Sequence, residues 1–128
     1  LSKTLSGDTG KNMVHSGFDS MTAIHGVVPG FTPQPIAWGT CRSNPDTHFF
    51  LSAFRHFDDT MPSPDDFAAR LAKLHQNSQS PTGKFGFHTT TYAGNLPQMT
   101  EWESSWETFF SKSLRYALDL ETRLQSGA

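Results

Sequence analysis

Cys41 is the single cysteine among 128 residues. One thiol excludes an intramolecular disulfide and any cysteine-built zinc site, and it fits residence inside the cell, where thiols stay reduced. Positive charge is also scarce. Ten Lys and Arg face twelve Asp and Glu, a formal net charge of −2, and no basic cluster could neutralise a row of phosphates, so nucleic acid is not an expected partner. No run approaches the roughly 20 apolar residues that span a bilayer, and the first residues lack the basic start and apolar stretch of a signal peptide. No membrane partner is expected, and the cytoplasm is the expected compartment. The six histidines (His15, His25, His48, His56, His75, His88) never fall into H-E-x-x-H or H-x-H spacing, so no metal ligands are assigned. A phosphate-binding loop is missing as well. Gly7-Asp8-Thr9-Gly10-Lys11-Asn12 has Leu5 where the first glycine of G-x-x-x-x-G-K-[ST] is required and Asn12 where the hydroxyl belongs.

What is present is an aromatic, core-forming composition. Apolar residues make up 35% of the chain, with eleven Phe and three Trp, each ring able to bury about 150–250 Å². Such a chain has enough material for one core. Leu1–Leu5 reads as a short strand and Ser6–Gly10 as a turn, because Gly and Asp tolerate left-handed backbone. Met13, Val14, Phe18, Met21 and Ile24 then form a helical stripe that ends at Gly26 and Pro29-Gly30. Pro35–Thr40 and His48–Phe54 are rich in β-branched and aromatic residues around the turn-forming Ser43–Asp46, a hairpin pattern. Ser63-Pro64-Asp65-Asp66 carries a hydroxyl cap, Pro at the first helical position and acidic residues at the positive dipole end. Phe67, Leu71 and Leu74 give that helix one apolar face. Residues 77–97 are rich in Ser, Pro, Gly and Thr, and Phe85, Phe87 and Tyr92 argue for a packed loop there. From about Ser104 to Gln125 a last helix carries Trp106, Phe110, Leu114, Ala117 and Leu124 on one side, widened by Phe109, Leu118 and Leu120. So broad an apolar stripe calls for partners on more than one side.

The most specific segment is Lys84-Phe85-Gly86-Phe87-His88, followed by Gly94-Asn95-Leu96-Pro97-Gln98 and by Glu101-Trp102 with Trp106. In this order, K-F-G-F-H, G-x-x-P-Q and E-W before a tryptophan-bearing helix, the chain resembles the ketosamine kinases: fructosamine 3-kinases and protein-ribulosamine 3-kinases. Looser similarity extends from Lys3 to Leu124. Pro33–Thr40 (P-Q-P-I-A-W-G-T) resembles the family's P-R-P-L-A-W-G strand, and Phe67–His75 its A-x-x-L-A-x-L-H helix. The resemblance implies an α+β, partial protein-kinase-like fold, a short antiparallel sheet plus helices. Residues 1–57 would be part of the ATP-binding small lobe and its hinge, and 58–128 the start of the helical catalytic lobe.

The chemistry implied by that family is transfer of the ATP γ-phosphate, with magnesium, to a sugar hydroxyl on a glycated protein or small ketosamine, the opening step of deglycation. Lys3 stands where the family has its phosphate-binding lysine, although an exposed strand lysine is an equal reading. Ser52, Ala53, Phe54 and Arg55 would form the adenine hinge, with Ala53 replacing an acidic residue and leaving adenine contacts to the backbone. His88 would line the acceptor cleft or pin its loop. Trp102 and Trp106 would stack on sugar or fill core. Gly17, in Ser16-Gly17-Phe18-Asp19-Ser20, stands where the family's G-E-F-E-S has the lysine-holding glutamate. Asp19 lies two residues on, roughly 200° around the helix, and points elsewhere. No H-G-D catalytic loop and no D-P-A or D-F-G-like magnesium motif occurs in the sequence, so no catalytic residue is assigned and this polypeptide alone is not expected to turn over. The alternatives are a noncatalytic kinase-like binding module and a small sugar-binding protein using His88, Trp102 and Trp106. Exposed apolar surface would suit homo-oligomerisation. Cys41 beside Arg42 and the pairs Asp58-Asp59 and Asp65-Asp66 are read as structural.

Overall fold

The structure, a computed structural model, describes residues 1–127. It is an α+β chain of two compact units, Leu1–Ser78 and a second beginning at Gln79. In the first, β1 (Ser2–Ser6) turns directly into α1 (Gly7–Val27), which is followed by β2 (Pro35–Cys41), β3 (Asn44–Ser52) and α2 (Pro64–Asn77). The expected turn over residues 6–10 contracts to a single pivot. Gly7 takes φ +75°, a conformation that costs glycine little, and the helix begins there.

The sheet is antiparallel in the order β1-β3-β2, so the strand leading to residues 52–55 lies in the middle. Directly opposed residues share a face. One register row is Lys3, Phe50 and Trp38, and the next is Leu5, His48 and Thr40. Both lie under α1. Phe18 meets the Phe50 ring edge-on at 6.3 Å, His15 stacks on Trp38 at 4.3 Å, and a Cβ on Gly10 would come within 3.0 Å of Leu5. A glycine at position 10 therefore lets the helix lie close on β1. Val14, 2% exposed, is the centre of this small core, and its burial is worth about 1.5–3 kcal/mol. His48 is buried too, and its Nδ1 lies 2.8 Å from the Thr40 hydroxyl. That bond satisfies a polar ring that water cannot reach.

Helix α2 begins at Pro64, as the local signals predict, yet Ser63 makes no side-chain cap bond; its carbonyl instead receives the Phe67 amide at 3.0 Å. Phe67 packs against Phe31 with centroids 5.8 Å apart. In the second unit the expected packed loop is an irregular antiparallel ribbon. Phe85 and Glu103 exchange backbone bonds of 2.9 and 2.8 Å, Phe87 donates to Thr100, Gln98 donates to Thr91, and β4 (Tyr92–Ala93) pairs with β5 (Leu96–Pro97) across Gly94, φ +63°. Helix α3 (Trp106–Ser126) follows, its Ser105 hydroxyl accepting the Thr108 amide at 3.4 Å. Trp106, Phe110, Leu114, Leu118 and Leu124 are each about half exposed, the broad stripe the sequence anticipates.

Candidate functional site

The pairing of β1 with β3 brings together two segments far apart in sequence. Lys3 is opposite Phe50, two residues before Ser52, which puts its backbone about 7 Å along the sheet from the start of the 52–55 segment. Ser52, like Phe50, belongs to the face that α1 covers, and it is 5% exposed. Its amide donates to the Leu1 carbonyl at 2.9 Å and its carbonyl accepts from the Leu1 nitrogen at 2.8 Å. The next amide, that of Ala53, donates to the Gln34 carbonyl at 2.9 Å. Beyond it the chain leaves the sheet. From the Ala53 carbonyl through the backbone of Phe54 and Arg55, no hydrogen bond is made among the described residues. Phe54 is exposed, with His56 edge-on to its ring at 4.9 Å. Three consecutive peptide groups thus offer free donors and acceptors at the end of the central strand, within reach of the Lys3 row.

Helix α1 has two distinct flanks over that row. The β2 flank carries His15, stacked on Trp38, and Asp19, whose carboxylate lies 3.4 Å from His15 Nε2. The β1 flank carries Gly10, against Leu5, and roughly two turns later Gly17. The level of Gly17 is fixed by its neighbours, since His15 and Phe18 touch the same row that contains Lys3. Helical rotation puts Gly17 on the flank of Gly10, over the level of that row, and Asp19 on the opposite flank. No ion pair involves Lys3 among the described residues. A Cβ on Gly17 would meet nothing within 4 Å and its φ is not positive, so neither crowding nor backbone strain requires a glycine there.

His88, Trp102 and Trp106 are in the second unit. His88 packs against the neighbouring Phe87 ring at 4.4 Å. Trp106 anchors a separate aromatic group with Phe85 at 5.6 Å, Phe109 at 5.8 Å and Phe110 at 5.9 Å. Trp102 is half-buried at the point where the ribbon strands come closest. Gly86, at φ +144°, permits that approach: a Cβ there would be 2.8 Å from the Thr100 carbonyl, 2.9 Å from that of Glu101 and 3.0 Å from the Trp102 Cα. The ribbon is closed by Lys112, which pairs with Glu103. The hydrogen bond and charge of Glu103 hold the Lys112 ammonium above its ordinary range. A cleft of about 490 Å³ lies between the ribbon and α3, lined mainly by apolar groups including Leu96, Met99, Phe109 and Leu120.

Residue-type reasoning missed the structural partners of the candidate site. The Gln34 carbonyl that engages Ala53, the buried His48–Thr40 pair and the His15–Trp38 stack all depend on register across strands. No local sequence signal encodes them. For metal, the described residues contain no group of three or more His, Cys, Asp or Glu able to hold an ion.

Comparison with known proteins bears on the family of the chain. The chain is similar to the chloroplastic protein-ribulosamine 3-kinases of Oryza sativa subspecies indica and japonica, each 29% identical over 76 residues. That alignment covers 59% of this chain and 22% of each relative, so the chain spans about a fifth of the length of the curated relatives it matches. The family profile described as fructosamine kinase matches residues 4–126, beginning one residue after Lys3. With nearly the whole chain matched and a small sheet, covering helix and ribbon in the order the motifs imply, this protein belongs to the fructosamine kinase family.

Proposed function

We propose that these residues form the nucleotide-positioning part of an ATP-dependent ketosamine kinase acting on glycated amines. The observation that carries this reading is the β1–β3 register, which sets Lys3 about 7 Å from a strand end whose next peptide groups are free. Adenine would bond the backbone of Ala53 to Arg55, and the Lys3 ammonium would hold phosphate oxygens, the kind of charge-assisted contact that phosphoryl transfer relies on for positioning. The fit is good for nucleotide. For magnesium the described residues present no ligand cluster, and no step is assigned to the ion here. His88, Trp102 and Trp106 would serve the sugar side, the histidine as a hydrogen-bonding group and the indoles as flat apolar faces. Glycated protein or a small ketosamine is the acceptor class that the relatives' name supports.

The 128 residues by themselves bind and do not turn over. Supporting this, the sequence has no H-G-D loop or D-F-G-like motif, and Lys3 has no carboxylate partner among the described residues. A second reading, a noncatalytic kinase-like module, is favoured by one specific observation: a glycine, Gly17, stands where the family's motif has the lysine-holding glutamate, and open space surrounds it.

Isothermal titration of Mg-ATP into the protein tests the nucleotide reading. Losing a charged hydrogen bond costs about 1.5–3 kcal/mol, so Lys3→Met should weaken binding by roughly 10- to 100-fold. Equal heats for the two proteins would remove Lys3 from the site. No heat with nucleotide, combined with binding of glycated lysine, would favour the sugar-binding alternative.

A further inference from the structure

The first turn of the second unit carries a feature that neither nucleotide nor sugar binding explains. Ser80 is exposed, as is every residue from His75 to Phe85, and it precedes Pro81. Its hydroxyl is the focus of a small nest of donors. The Lys84 amide points at Ser80 Oγ from 3.2 Å and the Thr82 amide from 3.4 Å, while the Thr82 hydroxyl lies 3.2 Å away. Gly83, at φ +68°, bends the chain so that these groups converge, and its own amide donates to the Ser80 carbonyl at 3.2 Å. The Thr82 and Lys84 amides, the latter shared with Thr82 Oγ1 at 3.3 Å, thus converge on one oxygen, and converging backbone donors favour an anion there.

Charge in the flanking sequence has one sign. Between Asp66 and Glu101 there is no acidic residue, and the same stretch holds Arg70, Lys73 and Lys84. We infer that Ser80 is a phosphorylation site for a proline-directed protein kinase, and that the Thr82 and Lys84 amides and the Lys84 ammonium hold the resulting phosphate. In the modifying step the Ser80 oxygen bonds to the γ-phosphorus of ATP, the bond from that phosphorus to the β–γ bridging oxygen breaks, ADP leaves, and the hydroxyl proton passes to the modifying kinase's base. The product carries about −1.5 to −2 charge and three acceptor oxygens. It exchanges two long neutral contacts for charge-assisted ones and fixes the 80–84 turn.

The chain's other hydroxyl-proline pairs are poorer candidates on the same criteria. The Thr32 hydroxyl, before Pro33, is buried. Ser63, before Pro64, is exposed, but Asp65 and Asp66 in the following helical turn would repel a phosphate.

Incubating the whole protein with a purified proline-directed serine/threonine kinase and Mg-ATP, then mapping sites by mass spectrometry, tests the assignment. Phosphate should be found predominantly on Ser80, and Ser80→Ala should lower total incorporation at least tenfold while leaving the far-UV spectrum and melting temperature unchanged. Amide NMR of the phosphorylated wild type supplies the second readout. The Lys84 and Thr82 amide protons should move downfield as pH rises through about 6, following the second phosphate ionisation. Absence of label, or label mainly on Ser63 or Thr82, overturns the inference. Label on Ser80 without movement of either amide overturns the nest as the holding site.

Discussion

Gly17→Glu tests the arrangement of α1 over the Lys3 row more directly than any deletion. The position is helical, its φ is not positive, and a side chain there meets open space. Replacing an interior helical glycine by glutamate should gain about 0.5 kcal/mol in propensity. If the new carboxylate reaches the Lys3 ammonium, a partly exposed ion pair adds about 0.2–1 kcal/mol. The expected total is near 1 kcal/mol, or about 4–8 °C in melting temperature for a unit of this size. Gly17→Gln separates the two contributions, since it keeps the propensity and omits the charge. Urea denaturation of wild type, Gly17→Glu, Lys3→Met and the double variant then gives the coupling energy by a mutant cycle. It should be close to 0.5 kcal/mol at low salt and vanish in 1 M salt, where the screening length is about 3 Å. Identical stability of the Glu and Gln variants, with zero coupling to Lys3 at low salt, would refute the placement of Gly17 over the level of the Lys3 row. The inference that this site lacks its usual charge partner would fall with it.

Three further outcomes follow from other parts of the fold. Gly86→Ala should destabilise the ribbon by about 3 kcal/mol or more, because it combines an unfavourable φ with carbonyl contacts under 3 Å; hydrogen exchange at the Phe85, Phe87 and Glu103 amides should accelerate, and unchanged protection would contradict the close approach. Thr40→Val removes the partner of buried His48 and should cost about 1–3 kcal/mol in denaturant unfolding, whereas Thr40→Ser should retain most of it. The Lys112–Glu103 pair raises the folded pKa of Lys112 from its ordinary value of 10.5, so its contribution is fully present below that value and is lost as pH rises through the higher folded one. Melting curves of wild type and Glu103→Gln should therefore run parallel at neutral pH and converge in strongly alkaline solution; constant separation there would exclude the pair as the source.

The local signals that proved readable were those set by neighbours in sequence. Pro64 with Asp65 and Asp66 started α2, and richness in β-branched and aromatic residues marked β2 and much of β3, although Asn44–Asp46, expected in the turn, open β3 and the strand ends at Ser52. The K-F-G-F-H and G-x-x-P-Q motifs were legible for a different reason. They were read by their resemblance to the ketosamine kinases, and the glycines within them, Gly86 and Gly94, take positive φ in the structure. The ribbon over 85–103 was less legible, because its pairing is irregular and only two short stretches of it form regular strands. Ser6–Gly10 misled for the converse reason: turn-forming residues also suit a strand-to-helix pivot, and packing of Gly10 against Leu5 selected the latter.

By itself, then, the sequence determined the family and most of the placement of helices and strands, since these depend on local backbone preference and short-range motif. Tertiary structure alone decided that Lys3 lies across from Phe50, that the 52–55 backbone leaves the sheet with its hydrogen-bonding groups free, and that His15, beside Asp19, stacks on Trp38. Those facts come from strand register and helix docking. Both are set by which apolar surfaces fit together across long stretches of chain, a property no single segment carries.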